Sequence, residues 1–169
     1  YTSGMAVVDV TTPPTPVMRA SYQAPSQMSI GGLFLSGPYA YVAASSRGVI
    51  LFDVTGGLTP TLVSETDTPS STAALAVSGT TVYAADSAGG LRVIDAANPL
   101  TPTEVAAFNT PGSARDLIIE GATAYVADDA RGLRVMDVGR APFTETSALD
   151  LPSAARSTAV SGTLAYVGD

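Results

Sequence analysis

The stretch Gly90-Leu-Arg-Val-Ile-Asp95 belongs to a pattern that occurs four times along the chain. The closing aspartates of successive copies follow one another at steps of 44, 42 and 42 residues. A period of this length is typical of folds built from copies of one supersecondary unit. The other copies are Gly4-Met-Ala-Val-Val-Asp9, Gly48-Val-Ile-Leu-Phe-Asp53 and Gly132-Leu-Arg-Val-Met-Asp137.

Two further markers keep the same phase: a tyrosine followed by small or apolar residues, and a Ser-Gly pair. In each internal copy the tyrosine precedes the glycine of the apolar stretch by seven residues, as Tyr83 precedes Gly90. Joining Asp169 to Tyr1 would keep that spacing, so we expect a whole number of repeats, cut between two strands of one. The predicted repeats are about 27–68, 69–110, 111–152, and a split repeat made of 153–169 and 1–26.

Each repeat contains four short segments with strand character. In the third repeat these are 116–120, 123–127, 133–138 and about 145–149, separated by Gly, Asp, Asn and Pro residues that favour turns. The third segment is apolar on both faces, because its first, third and fourth positions after the glycine are all apolar. A sheet with one wet face would alternate instead. Each small sheet is therefore expected to pack between two neighbours, with the more polar fourth strand at the outer edge.

These features predict an all-β domain over 1–169, a β-propeller of four blades with about 42 residues and four antiparallel strands each. A β-solenoid is the structural alternative. The split repeat predicts a two-plus-two closure, in which each end of the chain supplies two strands of one blade. Three assemblies stay open: a four-bladed ring within one chain, two chains forming an eight-bladed ring as a homodimer, and a slice of a larger propeller.

The composition excludes many kinds of active site. The chain of 169 residues has 8 Arg and no Lys against 15 acidic residues, a net charge of −7, and it lacks Cys, His and Trp. Thiol nucleophiles, disulfides, Cys/His zinc sites, Ser-His-Asp triads and Schiff-base lysines are therefore absent. The acidity argues against nucleic-acid binding, and the absence of a long apolar run argues against membrane insertion. No cofactor is predicted.

The run 90–95 is preceded by Tyr-x-Ala-Asp at 83–86 and followed by Asn98-Pro99 and Thr101-Pro102. In these features it resembles the LVIVD repeat, and the resemblance extends over the whole chain. The fourth copy departs after its aspartate, where Gly139-Arg-Ala-Pro142 replaces the Asn-Pro turn. The resemblance implies a β-propeller at the bacterial or archaeal cell surface, secreted or surface-attached, with a binding or scaffolding role and no assigned reaction.

The recurring acids and glycines are interpreted as parts of the fold. An aspartate at the end of an apolar strand accepts backbone N–H groups from the turn that follows. A second set of acids, in the turns between second and third strands, could supply oxygen ligands to calcium. Its spacing matches neither an EF-hand loop nor the glycine-rich calcium repeats, and no metal site is predicted. The recurring tyrosines, which we call the tyrosine column, are expected to pack between blades; they are Tyr41, Tyr83, Tyr125 and Tyr166. The structural positions are Asp9, Asp53, Asp95, Asp137, Gly4, Gly48, Gly90 and Gly132, and the second set is Asp86, Asp128, Asp129 and Asp169.

One candidate ligand-facing rim follows from the propeller. Turns between second and third strands and connections to the next blade lie on one face, around the channel. Arginines on that face pair well with carboxylates or phosphates of a ligand. The alternative is that Arg-Asp pairs merely tie neighbouring blades together. The candidate residues are Arg47, Arg115, Asp116, Asp128, Arg131 and Arg156.

We therefore expect a non-catalytic extracellular scaffold that binds an unidentified protein, peptide or glycan. The alternative is a hydrolase or lyase that uses paired carboxylates on extracellular glycans. Asp116 with the Asp128-Asp129 pair is the nearest arrangement to such a site. Because the acids recur in equivalent positions rather than clustering in one repeat, no catalytic residue is predicted.

Overall fold

The computed structural model describes residues 4–23, 29–56 and 59–169, and these residues form β-strands joined by turns. Within the described residues no helix has the length and hydropathy that a membrane span needs. The strands are β1 (Gly4–Asp9), β2 (Val17–Gln23), β3 (Gly32–Ser36), β4 (Tyr39–Ala43), β5 (Val49–Asp53), β6 (Thr61–Thr66), β7 (Ala74–Ser78), β8 (Thr81–Ala85), β9 (Leu91–Asp95), β10 (Thr103–Phe108), β11 (Asp116–Glu120), β12 (Thr123–Ala127), β13 (Leu133–Asp137), β14 (Thr144–Leu149), β15 (Ser157–Ser161) and β16 (Leu164–Gly168).

Strands that follow one another in the chain pair antiparallel. Three sheets have four strands each: sheet A (β3–β6), sheet B (β7–β10) and sheet C (β11–β14). Two strands at each end form the N-terminal hairpin (β1–β2) and the C-terminal hairpin (β15–β16). The prediction of repeated four-stranded antiparallel sheets is confirmed, and β11 and β12 have the predicted bounds. The third strand of sheet C ends one residue earlier than predicted and the fourth begins one residue earlier.

Both faces of the internal sheets are buried, as the apolar pattern of the third strands predicts. Leu51 of sheet A packs toward sheet B, whose Ile94 lies in the same core cluster. Val93, the neighbour of Ile94, points the other way and packs with Met136 of sheet C. Phe52 packs against the N-terminal hairpin. Full burial of such a side chain stabilises the fold by about 1.5–3 kcal/mol.

The tyrosine column packs between sheets where a neighbouring sheet is present. Tyr41 lies in the core between sheets A and B, and Tyr83 in the core between sheets B and C. Tyr125 is half-buried, whereas Tyr166 of the C-terminal hairpin is 59% exposed. First strands of successive sheets contact one another, while the fourth strands are largely exposed. The arrangement is propeller-like, with the polar fourth strand at the outside.

The expected two-plus-two closure within one chain is not what the structure has. The two hairpins remain separate two-stranded sheets with no ladder between them. The physical reason is that they pack on opposite ends of the stack. Met5 and Tyr22 of the N-terminal hairpin pack on sheet A, whereas β15 contacts β11 of sheet C. The sheets are therefore not closed into a ring: in the described residues three complete four-stranded sheets are flanked by two separate hairpins.

The proposed repeat boundary at 26/27 lies outside the described residues. The boundaries at 68/69, 110/111 and 152/153 fall in the segments that lead from a fourth strand to the next first strand. We call these segments crossovers.

Candidate functional site

A pair of backbone hydrogen bonds ties each turn between a second and a third strand to the following crossover. In sheet B the N–H of Ser87 donates to Ala114 O at 3.1 Å, and the N–H of Ala114 donates to Ser87 O at 3.0 Å. Ser45 with Thr72 and Asp129 with Ala155 are bridged in the same way. The turns and crossovers together form one surface, the crossover face.

The turn residue of each bridge has a left-handed backbone. Its φ is 50° at Ser45, 45° at Ser87 and 50° at Asp129, and each is followed by a glycine at positive φ three residues later. Such φ values are uncommon for residues other than glycine, although Asp tolerates them better than most. The bridge to the crossover holds this conformation in place.

The aspartates that close the third strands have the predicted partners. Asp53 Oδ1 accepts hydrogen bonds from Thr55 N at 2.7 Å and from the Thr55 hydroxyl at 2.6 Å. These two bonds, the hydroxyl first, hold the pKa of Asp53 below its ordinary value. The pKa of Asp9 is lowered chiefly by the Thr11 N–H and then by Arg19. Asp95 and Asp137 accept from Ala97 N and Gly139 N at 2.8 and 2.9 Å.

The aspartates that follow the second strands of sheets B and C are buried. Asp128 is 0% exposed, although the rim prediction requires it to face solvent. Its carboxylate accepts hydrogen bonds from the Thr110 hydroxyl at 2.5 Å and from Gly112 N at 2.8 Å. Burial nevertheless outweighs these bonds and the nearby Arg134, and it raises the pKa of Asp128. Asp128 therefore anchors the crossover rather than facing a ligand.

Asp86 does the same in sheet B. It is 0% exposed and accepts hydrogen bonds from the Thr68 hydroxyl at 2.7 Å and from Ser70 N at 2.9 Å. Sequence reasoning missed this anchoring role. The usable signal was Thr68 and Thr110, which stand 18 residues before Asp86 and Asp128.

The predicted rim residues are only partly brought together. Three of the predicted arginines lie on the segments next to Asp129, and we call them the arginine cluster: Arg115, Arg131 and Arg156. Arg115 Nη2 lies 2.8 Å from Asp129 Oδ2. Arg156 directly follows Ala155, which is bridged to Asp129. Arg131 lies two residues beyond Asp129, and its side chain runs beside Gly112.

Two arginines of the cluster keep exposed side chains. Among the residues that the structure describes, neither Arg131 nor Arg156 has a hydrogen-bonded or ionic side-chain partner, and both residues are exposed. The positions equivalent to Arg115 and Arg156 carry Gly31 in sheet A and Ala73 in sheet B. The position equivalent to Arg131 carries Gly89 in sheet B and Arg47 in sheet A, where Arg47 is paired with Glu65. The cluster is thus confined to the end of the crossover face formed by sheet C and the C-terminal hairpin.

The other rim candidates have different partners. Arg47 forms an ion pair with Glu65 in its own sheet. Asp116 Oδ2 accepts a hydrogen bond from Thr158 N at 2.8 Å, which links β11 to β15. The ion pairs of Arg47 and Arg115 therefore lie within single sheets and do not tie neighbouring sheets together. Of these residues, Asp116 is the one that links two sheets, through the backbone N–H of Thr158.

The carboxylates do not converge on one point. Within the described ranges, no group of three acidic side chains is close enough to share a metal ion. Asp116, Asp128 and Asp129 each have separate partners in the structure: Thr158 N, Thr110 with Gly112 N, and Arg115. The arrangement offers exposed guanidinium groups on the crossover face and hydrogen-bonded carboxylates beneath it.

Comparison with known proteins supports the family and the fold. A search of curated proteins gave no match. The computationally designed Ika4 protein is 15% identical, with a TM-score of 0.70 over 89% of this chain and 90% of its own. The computationally designed Ika8 protein is also 15% identical, with a TM-score of 0.72 over 91% of this chain. This chain spans 46% of the Ika8 chain, and at these identities the likeness concerns the fold alone. The sequence profile of the LVIVD repeat matches residues 30–68, 70–110 and 111–147, and the chain therefore belongs to the LVIVD repeat family.

Proposed function

We propose that this protein is a non-catalytic scaffold, acting outside the cell, that binds a carboxylate-bearing partner at the arginine cluster. The observation that carries the proposal is the pair of exposed guanidinium groups, Arg131 and Arg156, without partners among the described residues. They stand out in a chain whose net charge is −7. The extracellular setting is supported by the resemblance to LVIVD proteins of the cell surface.

The chemistry of the cluster favours an acidic ligand. A guanidinium group offers a planar set of donors that matches a carboxylate with two parallel hydrogen bonds. Arg115 is paired with Asp129, so the negative charge of that carboxylate is balanced within the protein. We therefore infer that an acidic peptide or a uronic-acid glycan is bound by Arg131 and Arg156, and that neutral ligands are not.

The test compares the protein with a double variant, Arg131→Gln with Arg156→Gln. The probes are a fluorescently labelled decaglutamate peptide and an oligogalacturonate, with binding followed by anisotropy. The double variant is expected to lose binding, and the binding of the unchanged protein is expected to weaken as salt is added. Arg140→Gln is the matched control, because Arg140 is exposed in the turn after the third strand rather than on the crossover face. Equal affinity of the protein and the double variant, with unchanged circular dichroism, rejects the proposal.

The proposed lack of catalysis rests on the partners of the acids. A glycosidase needs two carboxyl groups that flank one bond, one of them free to give up a proton. Asp128 is buried and Asp129 is paired with Arg115. Incubation with acidic and neutral glycans is expected to release no reducing ends, and release that Asp128→Asn abolishes would show a hydrolase instead.

A further inference from the structure

The complete sheets are of two kinds, which differ at three linked positions. In sheets B and C an aspartate follows the second strand, an arginine is second in the third strand, and a glutamate lies on the fourth strand. In sheet C, Arg134 Nε is 3.7 Å from Asp128 Oδ2, and Arg134 Nη1 is 3.7 Å from Glu145 Oε1. In sheet B the distances from Arg92 to Asp86 and Glu104 are 3.7 and 3.6 Å. We call this the ionic set.

Sheet A has apolar residues at the same three positions. Ala44 replaces the aspartate, Ile50 the arginine and Leu62 the glutamate, according to the register of the strands. Ala44 and Ile50 are fully buried. The three positions thus change together, because a buried carboxylate without a cation, or a buried cation without a carboxylate, is strongly destabilising. We call this the apolar set.

The C-terminal hairpin carries one member of the ionic set. Asp169 follows β16 as Asp86 follows β8 and Asp128 follows β12. It accepts a hydrogen bond from the Ser153 hydroxyl of the preceding crossover, as Asp86 and Asp128 accept hydrogen bonds from theirs. The carboxylate is exposed, and no arginine pairs with it among the described residues.

A groove and a free strand edge adjoin Asp169. The groove has a volume of about 340 Å³ and is mainly apolar, with Asp169 on its wall. One edge of β16 pairs with β15, and the other has no strand beside it in the described part of the chain. In sheets B and C this position beside the second strand is taken by a third strand. The apolar wall of the groove is formed by Leu133, Leu149, Leu151, Ala165 and Val167.

A second copy of this chain is the wrong complement for that edge. Its N-terminal hairpin has Ala6 where the ionic set has arginine, and Met18 where the set has glutamate. That hairpin belongs to the apolar kind. Paired with β16, it would cover the Asp169 carboxylate without giving it a cation.

We propose that the edge of β16 and its groove form a docking site for an arginine-bearing LVIVD hairpin. The occupant has the pattern Gly-apolar-Arg-apolar-apolar-Asp in its first strand and a glutamate on its second. Ala84 lies opposite Arg92, and Val126 lies opposite Arg134. The same register sets the arginine of the occupant opposite Val167, beside Asp169. Backbone pairing along a free edge supplies affinity, and the ion pair selects the ionic kind of hairpin.

The test appends a second copy of residues 129–150 directly after Asp169, which continues the chain as sheet C continues after Asp128. Four versions form a double-mutant cycle: the appended arginine kept or replaced by Ile, and Asp169 kept or changed by Asp169→Ala. The two matched versions, Arg with Asp and Ile with Ala, are expected to be the more stable. We expect a coupling of roughly tenfold in the unfolding equilibrium constant.

Amide exchange provides the second readout. The amides of β16 are expected to become protected in the matched versions. The proposal is overturned if the effects of the two substitutions on the unfolding equilibrium simply add. It is also overturned if the β16 amides stay unprotected in every version. The unextended chain is expected to sediment as a monomer. A dimer that Val7→Pro abolishes would make a second copy the occupant and would also overturn it.

Discussion

A buried carboxylate requires a cation and hydrogen-bond donors, and Asp86 has both. The Thr68 hydroxyl and Ser70 N donate to it, and the Arg92 guanidinium lies 3.7 Å away. The crossover that carries Thr68 and Ser70 is thereby fastened to the end of β8. Thr68 and Ser70 are distant from Asp86 in the sequence and meet it only in the fold. Removal of Asp86 leaves their donor groups without this acceptor.

We predict that Asp86→Ala lowers the free energy of unfolding by about 3 kcal/mol. The triple variant Asp86→Ala, Arg92→Ile, Glu104→Leu copies the apolar set of sheet A and is expected to recover most of that loss. Urea unfolding monitored by circular dichroism measures both. Asp95→Ala, at an exposed turn, serves as the control and is expected to cost less. A triple variant no more stable than the single one would show that the three side chains are not coupled.

The two kinds of aspartate predict opposite dependence of stability on pH. Burial raises the pKa of Asp128 above 3.8, so the folded protein binds more protons at this residue than the unfolded chain does. The stability that this protonation contributes is therefore lost as the pH rises from 3.8 through the higher pKa of the folded protein. Hydrogen bonds lower the pKa of Asp53 below 3.8, so its contribution is present above that pH and is lost as the pH falls. Urea unfolding at a series of pH values is compared with Asp128→Asn and Asp53→Asn. For each variant, the difference in free energy of unfolding from the unchanged protein is followed as a function of pH. Differences that change in the same direction with pH for both variants would contradict the assignment.

Glycines occupy two kinds of position in this fold: turns that need a positive φ, and turns where a second segment of backbone also lies close. Gly79 turns the chain between β7 and β8 at φ +62°, and nothing lies within 4 Å of the place a Cβ would take. Gly90 directly precedes the third strand of sheet B and has φ +75°, and a Cβ there would meet the backbone of Phe108, Asn109 and Thr110. Gly90 thus serves both the turn and the close approach of the fourth strand's end.

We expect Gly79→Ala to lower the free energy of unfolding by about 1 kcal/mol, because an alanine disfavours only the left-handed backbone there. Gly90→Ala is expected to lower the free energy of unfolding several times more, because the added methyl group also collides with backbone that cannot move aside. Thermal unfolding of the two variants gives the comparison, in which Gly79→Ala is the control for backbone strain. Equal losses would mean that the close approach relaxes without cost.

At the scale of the whole molecule, stability is expected to decrease from the middle of the stack toward its ends. Strands β8 and β9 lie in sheet B, which is covered on both faces, whereas most residues of β15 and β16 are exposed. In repeat proteins each unit is stabilised mainly by its neighbours. A terminal hairpin with one neighbour and a free edge therefore opens most readily.

Hydrogen exchange followed by mass spectrometry checks this expectation. Peptides that cover Ser157–Ser161 and Leu164–Gly168 are expected to exchange much faster than peptides that cover Thr81–Ala85 and Leu91–Asp95. Uniform protection along the chain would show that the molecule opens only as a whole. The N-terminal hairpin provides an internal control, since Tyr22 packs edge-to-face on Phe52 with ring centroids 4.7 Å apart, and it is expected to be intermediate.

The repeat, the strands and the burial of both faces were readable from the residues alone. Turn residues such as Gly79, and the apolar residues Leu91, Val93 and Ile94 on both faces of one strand, act over a few neighbouring positions, so their effect is local. The hydrogen bond that each strand-closing aspartate accepts from the N–H two residues later is equally local. For these features, residue type and spacing suffice.

Three features were not readable in that way. They are the burial of Asp86 and Asp128, the confinement of the arginine cluster to one end of the crossover face, and the separation of the two hairpins. The first requires a threonine 18 residues away to lie under the same turn, and the second requires the bridge between Asp129 and Ala155. The third depends on which sheet each hairpin packs against. These outcomes arise from contacts between units that a repeat pattern leaves equivalent, and only the packing of whole sheets distinguishes one unit from the next.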